Sequence, residues 1–70
     1  MYLHRTVVLP ENKTSIALER IFWESIDLLS DGDWRQWVKE MLAKKPADVG
    51  RGTYLRQVVH KAAMQGQLHA

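Results

Sequence analysis

The sequence predicts a small, mainly helical domain. It has one short N-terminal strand and then three helices, joined to a second copy through a shared two-stranded antiparallel ribbon. Three observations predict this. Residues 13–18 alternate with period two, and the apolar residues after Glu19 recur with a helical period. The chain has 70 residues and no cysteine, a size at which a partner chain, a disulfide or a metal usually supplements a thin core.

The strand comes first. Thr14, Ile16 and Leu18 fall on one side of an extended chain, and Lys13, Ser15 and Ala17 on the other. A lone strand leaves N–H and C=O groups unpaired along both edges. The same strand in a second copy is its simplest partner. Thr14, Ile16 and Leu18 are therefore expected in a dimer core, together with Phe22, Trp37 and Val38 from the helices. Ahead of the strand, residues 1–12 read as an arm. Val7-Val8-Leu9 favours extended backbone, and Pro10 ends the run. Two arrangements stay open here: a loose arm, or residues 5–9 folded back on residues 14–18. The arm is favoured, because Glu11-Asn12 lacks the Asn-Gly or Asp-Gly chemistry of a tight hairpin.

The first helix is carried by Phe22, Ile26 and Leu29, with Trp23 beside them and Glu19 in the first turn, where an acid suits the dipole. It should run about 11–12 residues and end at Ser30-Asp31-Gly32, with Gly32 left-handed. Asp33-Trp34-Arg35-Gln36 then reads as an aspartate capping box. It opens a helix whose stripe is Trp34, Trp37, Val38, Met41 and Leu42. Lys44, Lys45 and Pro46 close it. After a connection over residues 47–52, Gly52 or Thr53 should cap a third helix bearing Leu55, Val58, Val59, Ala62 and Ala63. Gly66 ends it, and residues 67–70 form a frayed tail. The arm (1–12), the domain (13–66) and the tail (67–70) are the expected divisions.

Composition excludes several function classes. Without cysteine there is no disulfide framework and no thiolate metal site, and His4, His60 and His69 show no ligand spacing. No metal and no cofactor are expected. Apolar runs such as Val7-Val8-Leu9 fall far short of the about twenty residues a membrane span needs. The N-terminus does not read as a secretory signal, so a cytoplasmic location is the expectation. Glu24 and Asp27 lie one helical turn apart with no nucleophile or base nearby in sequence. They read as a solvated acidic face, and no enzymatic activity is expected. Trp23, Trp34 and Trp37 follow helical core spacing and read as core and interface, not as a base-stacking platform.

Net charge is +2, but it is unevenly placed. Residues 21–33 hold Glu24, Asp27, Asp31 and Asp33 with no Lys or Arg, while residues 49–70 hold Arg51, Arg56 and Lys61 with no acid. Basic ends around an acidic middle suit a small nucleic-acid binder, and ordinary solvated charge accounts for them equally well. The outer strand residues carry more information. A two-stranded antiparallel ribbon fits the major groove of B-DNA. There Lys13 can donate to guanine O6/N7, Ser15 can donate or accept, and the Ala17 methyl can pack on thymine.

The order strand, helix, helix, carried by Thr14-Ser15-Ile16-Ala17-Leu18-Glu19, Phe22-Trp23 and Ile26, resembles the ribbon-helix-helix family of DNA-binding regulators. Gly50-Arg51-Gly52-Thr53-Tyr54-Leu55-Arg56 looks like the segment that opens the last helix in a subgroup with an extended helical tail. The chain departs from the family in having Ala17 where a long polar residue is common, and in having a third helix. The resemblance implies an intertwined homodimer that reads double-stranded DNA with its ribbon, as a small transcriptional repressor or autoregulator. Lys13, Ser15 and Ala17 would contact bases. Arg5, Arg35, Arg51, Thr53 and Arg56 would hold phosphates, with a helix N-terminus lending its amides. Two helix starts compete for that role. Trp34-Arg35 has chain order in its favour; Thr53-Tyr54, beside Arg51 and Arg56, has charge. The competing function is a protein–protein module, an inhibitor, adaptor or antitoxin, that keeps the fold and binds a protein partner instead of DNA.

Overall fold

A computed structural model describes residues 2–66. In chain order it contains β1 (Tyr2–Val8), β2 (Lys13–Glu19), α1 (Arg20–Leu29), α2 (Trp34–Ala43) and α3 (Arg51–Met64). The two strands form an antiparallel ribbon whose register pairs Tyr2 with Glu19, His4 with Ala17, Thr6 with Ser15 and Val8 with Lys13. The helices cover one face of it.

Both strands of the ribbon come from the same chain. The residues expected as an arm are β1 and the turn that follows it, and they provide the strand expected from a second copy. The reason is side-chain burial. Leu3, Val7 and Leu9 point to the helices, and Val7 and Leu9 are buried. That apolar row outweighs the missing Asn-Gly turn. Pro10 takes the corner, and the Leu9 N–H donates to Asn12 O at 2.8 Å to close the reversal.

The inward face of the ribbon meets one core made by all three helices: Val7, Ile16 and Leu18 below, Trp23, Ile26, Val38, Leu55 and Val59 above. Of the six residues expected in a dimer core, Ile16, Leu18 and Val38 are buried within a single chain. Thr14, Phe22 and Trp37 are half-buried there.

Helix ends follow the expected positions with local differences. Glu19 is the N-cap of α1 and lies outside its first turn. Gly32 is left-handed as expected (φ 90°), and Asp31 before it is left-handed too (φ 53°). Asp33 is the N-cap of α2, but its side chain makes no capping hydrogen bond. Gln36 donates instead to Glu40 Oε1 at 3.2 Å, so the capping box does not form. The N-cap of α3 is Gly50, ahead of the expected Gly52 or Thr53. Gly66 ends α3 with φ 75°. The expected tail lies outside the described residues. Among the described residues no helix is long and apolar enough to cross a membrane.

Candidate nucleic-acid interface

Because the side-chain period of a strand is two, burying Val7, Ile16 and Leu18 turns the other row outward. On β2 that row is Lys13, Ser15 and Ala17; the first two are exposed and Ala17 is half-buried. On β1 it is Tyr2, His4, Thr6 and Val8, all exposed. The fold thus brings the three base-contact candidates together on one face. It adds a second row, from residues expected to form an arm. The alternation within β1 carries the signal for that row: Leu3, Arg5 and Val7 against Tyr2, His4, Thr6 and Val8.

The start of α3 packs against the edge of β2. A Cβ placed on Gly52 would lie 3.8 Å from both Ala17 O and Leu18 Cδ2, and 3.4 Å from Arg56 Nη1. Those are contact distances, so the space beside Gly52 holds a methyl group and little more. Arg51 and Thr53, both exposed, stand on this first turn. No side chain caps it, and Gly50 O accepts from the Tyr54 N–H at 2.9 Å. The other helix start is placed differently. Trp34 lies on the helical side of the ribbon, its ring 5.0 Å from the Arg5 guanidinium carbon, and Asp33 puts a carboxylate at the helix entry.

Two arginines expected at phosphates are engaged inside the fold. Arg5 points inward from β1. Its Nη1 and Nη2 donate to Asp27 Oδ1 and Oδ2 at 2.8 and 3.2 Å. Its guanidinium lies over Trp23 (4.8 Å) and Trp34 (5.0 Å). Those rings meet edge to face at 5.6 Å, and Trp23 Nε1 donates to Leu3 O at 2.7 Å. One residue of β1 thereby ties the ribbon to α1 and α2. Arg56 does the same for α3. Its Nε and Nη2 donate to Glu19 Oε1 at 3.0 and 2.9 Å, and its guanidinium carbon lies 5.9 Å from the centre of the Tyr2 ring and 5.8 Å from that of Phe22. The backbone N–H of Glu19 and then the Arg56 hydrogen bond hold the Glu19 carboxyl below the ordinary glutamate value. Arg56 Nη1 makes neither of these bonds, so that end of the fork can meet another acceptor. Arg35 is exposed and stacks on Trp34 at 4.6 Å.

Among the described residues no group of three His, Cys, Asp or Glu side chains could hold a metal ion. No buried side-chain nitrogen or oxygen among them lacks a hydrogen-bond partner. The polar chemistry on offer is therefore at the surface. The part of it that gathers the base-contact candidates is the outer ribbon face, with the α3 start beside it. No family model matches the chain, and neither a curated protein nor a solved structure matches it.

Proposed function

We propose that the protein binds double-stranded DNA, laying the outer face of the β1–β2 ribbon in the major groove, and acts as a small repressor or autoregulator of transcription. The observation that carries this reading is the placement of an uncovered ribbon face beside an uncapped helix start with a basic first residue, Arg51. A two-stranded ribbon matches the width of the major groove. A helix N-terminus with its free amides suits a phosphate at the groove's edge. The α3 start serves better than the α2 start: its N-cap is Gly50, Arg51 opens its first turn, and the nearby Glu19 carboxylate is bonded to Arg56, whereas the N-cap of α2 is Asp33, which would repel a phosphate. Lys13, Ser15 and Ala17 face the bases; Arg51, Thr53 and the Nη1 end of Arg56 face the backbone. The division into a base-reading ribbon and a phosphate-holding helix start is the one the resemblance to ribbon-helix-helix regulators implies, while the ribbon differs from that expectation in drawing both strands from one chain.

The reading includes a homodimer. α1 exposes Ile21 and Leu28, seven residues apart on one stripe and 66% and 68% accessible. Arg20 stands at one end of that helix, with Asp27 and Asp31 at the other. Antiparallel apposition of two copies sets Ile21 of each against Leu28 of the other and Arg20 of each toward Asp31 of the other, with Asp27 already paired to Arg5 and the exposed Glu24 of each copy near the axis. The patch is small beside the roughly 800 Å² per partner of a standard interface. Binding of two copies to neighbouring half-sites supplies the remaining association.

The test is a titration of duplex DNA at several salt concentrations. Binding should weaken steeply with salt through counterion release. Arg51→Ala should weaken all sequences alike and lower the salt slope by about one for each phosphate it no longer neutralises. Lys13→Ala should weaken the preferred sequence by about 1–3 kcal/mol and relax preference at one base pair. No binding to any duplex at low salt would replace this reading with the protein-module one. That alternative draws on Arg5 and Arg56, whose pairing with Asp27 and Glu19 thins the cationic rim.

A further inference from the structure

The ribbon register carries an inference beyond the reading of β2. We propose that β1 supplies half of the base-reading face, with His4 and Thr6 as specificity-determining residues. This rests on the DNA-binding reading above and deepens it. His4 stands directly across from Ala17, and Thr6 directly across from Ser15. Both are exposed on the same side of the ribbon as Lys13. Neighbouring strands lie about 4.8 Å apart, so a groove that admits one row admits the other. A ribbon inserted far enough for Ser15 to reach a base edge brings Thr6 to the same depth.

The chemistry of the β1 row complements that of β2. Ala17 offers only a methyl group, and the imidazole beside it adds a nitrogen that donates to a purine acceptor or accepts from an exocyclic amine. Thr6 offers a hydroxyl for either role and a methyl for thymine. Val8, 59% exposed and opposite Lys13, is an apolar side chain in open solvent whose natural contact in the groove is a thymine methyl. Same-face residues are spaced about 6.8 Å along a strand, so His4 to Val8 covers about 14 Å, roughly four base-pair steps. One chain can then read a compact site with two rows of side chains. Because the rows differ, the site within each half need not be symmetric.

The experiment selects preferred duplexes from a randomised pool with the full chain, then repeats the selection with His4→Ala, Thr6→Ala and Lys13→Ala at one salt concentration. Each variant should melt with the wild type, since its side chain is exposed. His4→Ala and Thr6→Ala should each lose preference by roughly five- to hundredfold at one base pair. The positions they lose should differ from the position lost in Lys13→Ala. Their affinity for scrambled duplex and their salt slope should stay at wild-type values. If the wild type selects a site and both β1 variants select the same site with the same preference, β1 does not read bases, and the β2 reading stands. If the wild type binds duplex without any sequence preference, this inference falls while general DNA binding survives. If it binds no duplex at low salt, the inference and the DNA-binding reading fall together.

Discussion

Arg5 separates two accounts of this protein. As a cation on an arm it would touch a phosphate; in the fold it clamps β1 to α1 and α2. The perturbation is Arg5→Ala. The ion pair with Asp27 has side chains 28% and 41% exposed, and at that exposure it contributes at most about 1 kcal/mol. The two cation–π interactions, at 4.8 and 5.0 Å, contribute about 0.5–1 kcal/mol each. The methylene stem of Arg5 adds packing. The loss should be about 2–3 kcal/mol. For a domain of this size about 1 kcal/mol moves the melting temperature by about 4–8 °C, so a fall of about 10–20 °C is expected. Arg5→Lys should lie between, since lysine keeps the charge and loses the planar fork. Asp27→Asn should cost under about 1 kcal/mol, because the stacking survives. The assay is thermal and urea denaturation followed by circular dichroism, with the salt slope of DNA binding measured in parallel. A variant that melts within about 2 °C of wild type, yet loses about one unit of salt slope, would refute the clamp and restore Arg5 as a phosphate ligand.

Other outcomes follow from the same geometry. Ile16→Asp should abolish folding of a single chain, because Ile16 is 3% exposed and an unpaired buried charge costs several kcal/mol; a helical spectrum with wild-type melting would contradict the register. The folded-state pKa of Glu19 is lowered, so its contribution to stability is present above the unfolded glutamate pKa and is lost as pH falls through the folded one. Glu19→Gln should flatten that acid limb in a pH series of melting temperatures, and an unchanged limb would show that the carboxylate does not carry it. The melting temperature should rise with protein concentration if two copies associate. Leu28→Glu should remove that dependence without unfolding the chain; sedimentation that shows the same dimer in wild type and variant would place the interface elsewhere.

Much of the fold was legible because it is local. The alternation over residues 13–18 and the helical stripes around Ile26, Val38 and Val59 point to β2, α1, α2 and α3. Gly32 and Gly66 mark left-handed ends that a side chain resists. The outward placement of Lys13 and Ser15 follows from period two once Ile16 is read as inward. These features depend on neighbours within a few residues, where sequence order and spatial order coincide.

What the tertiary structure decided were the pairings across long stretches of chain. Whether residues 2–8 hang loose or pair with β2 depends on whether Leu3, Val7 and Leu9 find a core, and that core is completed by helices far along the chain. The fates of Arg5 and Arg56 were hidden for the same reason: their carboxylate partners lie 22 and 37 residues away. A guanidinium in a sequence is only a positive charge. Folding brings Asp27, Glu19 and the aromatic rings within hydrogen-bonding or stacking distance and gives these two arginines a structural role. By itself the sequence determined which side of β2 faces out. Which helix start stands beside that face was decided by packing, because burying Leu55 and Val59 in the shared core is what carries Gly52 and the first turn of α3 up against Ala17.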